Sequence, residues 1–372
     1  MKKVIIFAVF LAFTFPVFAQ PAVPPWWLSL EYGKQRFRTQ NYGDALLLFE
    51  DARRDRRAMY EQMERDLISL LSINEVRRIG DSLDRVERYS VDRRYNAAFA
   101  ALQELYHRVP KSSFNNSASS ALAAFDKLKN YPEAEYWIGE VYRVEGELGL
   151  ALAQYRKAYS MRDVLEDPGF SVSLQYNIAS ILMTRQEYTE MERVYLSIIS
   201  ENDSQWASSS DASISFARSS MTRTLTEHGI NRFLELYRYN NGTVEQAHRL
   251  LGFYYAAQGR TSAEQHLMFA FLIHNTVIIE ELRRNQFDFT FTTFDVLLQE
   301  INKNRLLLNY IDEIEYFKTI YYFGASLYRN GKAAIARTVW SILASAPQAG
   351  EWHNRAVSQL RNPRPDPIVE MP

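Results

Sequence analysis

No cysteine occurs anywhere in the 372 residues. Disulfide staples are therefore excluded, as is lipid attachment to a cysteine after an export signal, and stability must come from packing alone. Net charge is nearly absent too. Against 44 Asp and Glu stand 43 Lys and Arg, which gives no general electrostatic reason for a nucleic-acid or anionic-membrane partner. Histidine is scarce, with six in all: His107, His228, His248, His266, His274 and His353. None forms a His-x-x-x-His pair or a Glu-flanked zinc motif, so without thiols a metal site would need scattered His and carboxylates. Gly324-Ala325-Ser326 lacks the second glycine of a nucleophile elbow. Gly139, Gly146 and Gly149 do not follow a strand, as a phosphate-binding loop requires. Carboxylates alternate with arginines, as in Asp51 to Asp55 and Asp84 to Arg88, which suits ion pairs along helix faces. Nothing converges into a catalytic group. The expectation is a non-enzymatic chain without cofactor or metal.

One apolar run stands out, Val4 to Phe18, preceded by Lys2 and Lys3 and followed by the small-x-small site Val17-Phe18-Ala19. It is shorter than the roughly 20 residues of a spanning helix, so residues 1–19 read as a cleavable signal peptide. The mature chain is then periplasmic or secreted, with no transmembrane segment left. Loss of the two lysines moves the formal charge from -1 to -3. Residues 20–25 form a proline-rich spacer, stiff because each proline holds its own φ and extends the residue before it. At 47% hydrophobic and 23% charged residues, the remainder has the composition of a folded chain.

What the chain does contain is a recurring interval. Gly139, Ala151, Tyr155 and Ala158 place small residues where two antiparallel helices cross and an aromatic beside them. Gly33, Ala45, Phe49 and Ala52 repeat it, as do Ala179, Met191, Tyr195 and Ile198, and Gly324, Ala336, Trp340 and Leu343. A less regular copy runs Gly252, Met268 and Phe271, with Glu264 at the second small position and Ala263 beside it. A divergent one spans Leu83 to Pro110. Glycines Gly146, Gly259 and Gly331 mark the turns, and Asp167-Pro168-Gly169 is a further turn signal. The helices read as one continuous array or as two, residues 26–203 and 214–360, divided by the polar stretch near 204–213. Phe287 to Phe294 reads as an irregular insertion, because its strand-like alternation has no partner strand. Residues 361–372, with four prolines, read as an extended, mobile tail.

Ile138-Gly139, Tyr142, Gly146, Ala151, Tyr155 and Ala158 resemble a tetratricopeptide repeat. The resemblance implies an all-α, right-handed superhelix of stacked antiparallel helix pairs, an α-solenoid with a concave groove. It also implies which positions line that groove, from the first helix of each pair: Trp27, Leu30, Lys34 and Phe37, then Tyr136, Glu140 and Arg143. Tyr176 and Ser180, Arg249 and Phe253, and Lys318, Tyr321, Tyr328 and Arg329 follow. Aromatic and arginine side chains dominate this set and are enriched at binding hot spots. The implied role is an envelope scaffold binding a protein or peptide; the alternative is an accessory subunit of a transporter that encloses a small molecule. Tyr136 and Glu140 stand where some such proteins carry basic and amide residues that clamp a terminal carboxylate, so that mode is not implied.

Overall fold

Side chains that recur every third or fourth position leave a helix one apolar face, and in this protein each such helix finds its cover in the next one along the chain. The computed structural model describes residues 25–70, 126–204 and 212–366. The signal peptide, nearly all of the spacer, the divergent repeat at Leu83 to Pro110, residues 205–211 and the end of the tail lie outside them. Among the described residues every regular element is a helix. The chain divides into two compact units, Met1–Pro168 and Gly169–Pro372, at the Asp167-Pro168-Gly169 turn. The sequence reading placed its division near 204–213, much of which is not described.

The N-terminal unit contains α1 (Trp26–Arg38), α2 (Tyr42–Leu70), α3 (Pro132–Val144) and α4 (Leu148–Ser160). Helix α3 starts with Pro132, whose missing N–H costs nothing there, and carries Glu133 and Glu135 in its first turn and Arg143 in its last. Helix α1 pairs with α2 and α3 with α4, α2 packs on α3, and the first helices α1 and α3 also touch. Their core joins Leu30, Phe49 and Ala52 to Tyr131, Ala134 and Ile138.

The C-terminal unit contains α5 (Phe170–Thr184), α6 (Tyr188–Asn202), α7 (Ala212–Leu236), α8 (Gly242–Ala257), α9 (Ala263–Asn285), α10 (Phe294–Lys303), α11 (Arg305–Glu313), α12 (Tyr316–Arg329), α13 (Ala333–Ala344) and α14 (Glu351–Arg361). Three pairs, α5 with α6, α8 with α9 and α12 with α13, follow one another; α6 packs on α8, α9 on α12, and α8 also meets α12. Helix α9 is the spine. Its middle, residues 266–276, is buried on all sides, the polar His274, Asn275 and Thr276 included, as expected of a helix with neighbours all round. Helix α7 breaks at Gly229, whose φ of 76° and ψ of -178° are not helical. Short helices α10 and α11 are set by side-chain caps, Thr293 accepting from the Val296 amide and Asn304 from Leu306 and Leu307.

The small-and-large interval is a contact between paired helices. A Cβ at Gly139 would stand 2.7 Å from Tyr155 Cε1, and one at Gly324 2.6 Å from Trp340 Nε1. Gly33 meets Phe49 in the same way. In the α8–α9 pair the register differs from the sequence reading by one residue. Gly252 faces Leu267, with Cγ 2.6 Å from the would-be Cβ, and Ala263 and Ala270 are buried beside it. Glu264 is therefore free to turn toward Asn330, whose Nδ2 donates to it at 2.8 Å.

Among the described residues the five hairpins named above turn alike. The residue after the turn centre donates its N–H to the carbonyl five positions back: Asn41 to Arg36, Glu147 to Tyr142, Glu187 to Leu182, Arg260 to Tyr255 and Lys332 to Leu327. That closure needs a left-handed residue at the centre. Gly146, Gly259 and Gly331 supply it in three turns, but Gln40 (φ 61°) and Gln186 (φ 62°) occupy it in the other two. Gln40→Gly and Gln186→Gly are each expected to stabilise the protein by about 0.5–1 kcal/mol, measured as a higher urea midpoint. A lower midpoint for both would contradict this account of the turns.

Segment Phe287 to Phe294 is irregular as far as Thr293, and Phe294 already opens α10. Phe291 is buried beneath the Arg238 guanidinium, 5.5 Å from its ring centroid, while Phe287 is fully exposed. Residues 363–366 lie against α12 and α14, held by polar contacts described below, because Arg355, Gln359 and Tyr328 converge just beyond the helix end.

Candidate functional site

In the N-terminal unit the first helices bring aromatic side chains into a row. Phe37 on α1 meets Trp137 on α3 at 5.4 Å between centroids; Trp137 meets Tyr136 at 5.4 Å, and Tyr136 stacks on Tyr155 at 5.6 Å. Phe37, Trp137 and Tyr136 are each half-buried, whereas Tyr155 and Phe49 beneath them are sealed. Lys34 Nζ lies 5.9 Å from the Trp137 ring, a cation over an aromatic face. Two turns earlier on the same face of α1 stands Trp27, 51% exposed. At the other end, exposed Arg143 pairs with Glu140 at 2.7 Å, and Glu140 accepts the Tyr155 hydroxyl proton. Burial, with Glu140 beside it, pushes the Tyr155 hydroxyl far above its ordinary pKa, so it stays a donor. Leu30, by contrast, belongs to the core. Trp137 was not singled out from the sequence, though it directly follows Tyr136.

The corresponding positions in the C-terminal unit are joints between hairpins. Tyr176 donates its hydroxyl to the Thr243 carbonyl at 2.7 Å and accepts the Ala247 amide at 3.2 Å, tying α5 to the start of α8. Arg249 is buried, with Nε on Glu245 at 3.0 Å and Nη1 on Glu315 at 2.6 Å, tying α8 to α12. Phe253 is fully buried against Tyr322, with Lys318 Nζ 4.7 Å from its ring. Tyr321 is 1% exposed. Arg249, Phe253 and Tyr321 thus have almost no surface to offer a partner, contrary to the groove assignment. Large side chains fill the space between first helices that smaller ones would leave open. Tyr328 is half-buried over Trp340, and exposed Arg329 lays its guanidinium where a side chain at Gly259 would stand.

The structure also assembles polar groups that looked scattered. Glu245 Oε1 takes His274 Nε2 at 2.6 Å as well as Arg249, and Glu315 takes Lys318 at 2.6 Å. Burial alone would raise the Glu245 carboxyl, but His274 and Arg249 outweigh it and hold the acid below its ordinary range. A depressed carboxyl stabilises the fold above its unfolded pKa of about 4.3, and that contribution is lost as pH falls through the lower folded value. The stability difference between wild type and Glu245→Gln should therefore shrink below about pH 4.3 in urea titrations. A difference unchanged with pH would overturn the assignment. Nearby, Glu315 has left-handed geometry (φ 50°, ψ 42°), unusual without glycine. It borders an open cavity of about 390 Å³ lined also by Lys318, Trp352 and Glu351.

His248 and His266, Nδ1 to Nδ1 at 3.1 Å, are packed among Phe269 and Tyr255. Among the described residues no group of three His, Asp or Glu converges as a metal set, and no helix is long and apolar enough to cross a membrane.

No family model matches the chain. The chain is similar to an uncharacterized protein of Treponema pallidum (strain Nichols), 25% identical over 342 residues that span 90% of this chain and 89% of that protein. The similarity runs through both units.

Proposed function

We propose that the protein is a non-enzymatic scaffold of the periplasm or cell envelope, and that it holds an extended segment of another protein on the first-helix face of its N-terminal unit. One observation carries this reading: Phe37, Trp137 and Tyr136 remain half-exposed in a continuous row, flanked by Lys34 and Arg143, while the aromatics beneath them are sealed. Aromatic surface with few rotatable bonds binds at low entropy cost, and charges at its ends set direction. In each unit the first helices of successive hairpins touch, which favours a tetratricopeptide-like right-handed superhelix with these faces inward. The test exchanges Trp27, Tyr136 and Trp137 together for alanine and recovers partners by cross-linking in envelope extract. Recovery is expected to fall by roughly tenfold or more with helicity retained; undiminished recovery would remove the N-terminal face from consideration.

A second reading has its own observation. The cavity of about 390 Å³ beside the left-handed Glu315 is large enough for a small molecule and suits an accessory ligand-binding subunit of a transporter. Native mass spectrometry of protein from its own cell separates the two, a bound small molecule favouring the second reading and a polypeptide the first.

A further inference from the structure

The chain's own tail shows what the end of the C-terminal unit can hold. Residues 363–366 run extended past α14, and three kinds of group read them. Tyr328 donates its hydroxyl to the Pro363 carbonyl at 3.3 Å, Gln359 Oε1 accepts the Arg364 amide at 2.8 Å, and the Asp366 carboxylate takes Arg355 Nη2 at 2.9 Å together with the Tyr321 hydroxyl. Gln359 also donates to Tyr321 at 3.2 Å, so the readers brace one another. The Arg355 guanidinium is itself seated 4.9 Å from the Tyr321 ring and 5.0 Å from the Trp352 ring. Burial, with Asp366 beside it, pushes the Tyr321 hydroxyl up to about 12, which keeps it a donor to that carboxylate.

The burial is one-sided. Tyr321 and Gln359 are at most 3% exposed, whereas Arg364 and Pro365 are exposed and Pro363 and Asp366 only half-buried. The receptor is built into the fold and the occupant rests on it. Prolines at 363, 365 and 367 hold such a segment extended before it docks, which lowers the entropy lost on binding.

We infer that Tyr321, Tyr328, Arg355 and Gln359 form a recognition site for an extended, proline-flanked segment carrying an aspartate, and that the tail occupies it in cis as a displaceable stand-in for a partner segment of the same chemistry. The inference takes its biological sense from the scaffold reading but uses a different unit and different residues. A tail tethered this closely acts as a ligand at about millimolar effective concentration, so a partner competes only weakly until the tail leaves.

The probe is a fluorescein-labelled peptide of residues 362–370, titrated by anisotropy against the chain from Gln20 onward and against the same chain ending at Asn362. The shortened chain is expected to bind it at least roughly tenfold more tightly than the full one, and the peptide with Asp366→Ala roughly tenfold more weakly than the native peptide. Should the shortened chain fail to fold, Asp366→Ala in the full chain unclamps the tail without removing it, and should gain binding of the native peptide by a similar factor. Equal binding by clamped and unclamped chains, or indifference to the peptide's aspartate, would overturn the inference. Partner recovery through Trp27, Tyr136 and Trp137 would be untouched by that result, so the two proposals fail separately.

Discussion

Arg56→Ala is expected to destabilise the N-terminal unit by about 3 kcal/mol, through lost packing and lost cation–π contact together. Arg56 is fully buried, its guanidinium 4.5 Å from the Tyr131 ring centroid, 4.8 Å from Trp26 and 5.6 Å from Tyr60. Its Nε donates to the Leu128 carbonyl at 3.1 Å, joining α2 to the residues that lead into α3, and Nη1 lies 3.8 Å from Glu166. Alanine would leave a cavity among three rings and take that donor from Leu128. Arg56→Met keeps most of the volume without charge or planarity, and is expected to recover about half of the loss. Neighbouring Arg57 is exposed and pairs with Glu61 at 3.0 Å along the helix surface, so Arg57→Ala should stay within about 0.5 kcal/mol. Urea unfolding of the three variants decides the matter. Methionine as stable as arginine would mean that packing alone accounts for the site.

Gly139→Val should cost about 3 kcal/mol for a different reason, the overpacking of a helix crossing. Its Cβ would fall 2.7 and 2.8 Å from Tyr155 Cε1 and Cδ1. Tyr155 has no room to withdraw, being fully buried, stacked on Tyr136 and bonded at its hydroxyl to Glu140. The helices must therefore separate and disturb the Ala151 and Ala158 contacts. Gly43, also in a helix, has nothing within 4 Å of its would-be Cβ, and Gly43→Ala should be neutral or stabilising by up to about 1 kcal/mol. The thermal midpoint should fall for Gly139→Val and hold or rise for Gly43→Ala. Parallel shifts would show that helix propensity, not close approach, governs these glycines.

The helix pairs were legible because each is a local object. Gly139 and Tyr155 lie on helices joined by three residues, so spacing along the chain translates directly into contact across the hairpin. Arg56 was nearly legible for the same reason. It continues the buried face Ala45, Phe49, Ala52, yet residue type argued for the surface, and it is the rings of Trp26 and Tyr131 from other segments, with Tyr60 one turn along α2, that make burial tolerable. The α8–α9 register escaped because Met268 and Leu267 are equally apolar, and the turn at Gly259 decides which of them faces Gly252. Which groove positions stay open was not legible at all. Tyr136 and Tyr321 each stand three residues before the glycine of their repeat, but one is half-exposed and the other sealed by Trp352 and Arg355 from a helix some 30 residues onward.

The sequence by itself determined the helical class, the pairing of neighbours and the places of the glycine turns, since all three rest on interactions within about 20 residues, where chain connectivity already holds the partners together. Only the tertiary structure decided which aromatics remain available to a partner, how Glu245, Arg249, His274 and Glu315 meet, and where the tail docks. Those outcomes depend on surfaces brought together from distant segments, whose burial is settled by shape and desolvation after the hairpins have formed.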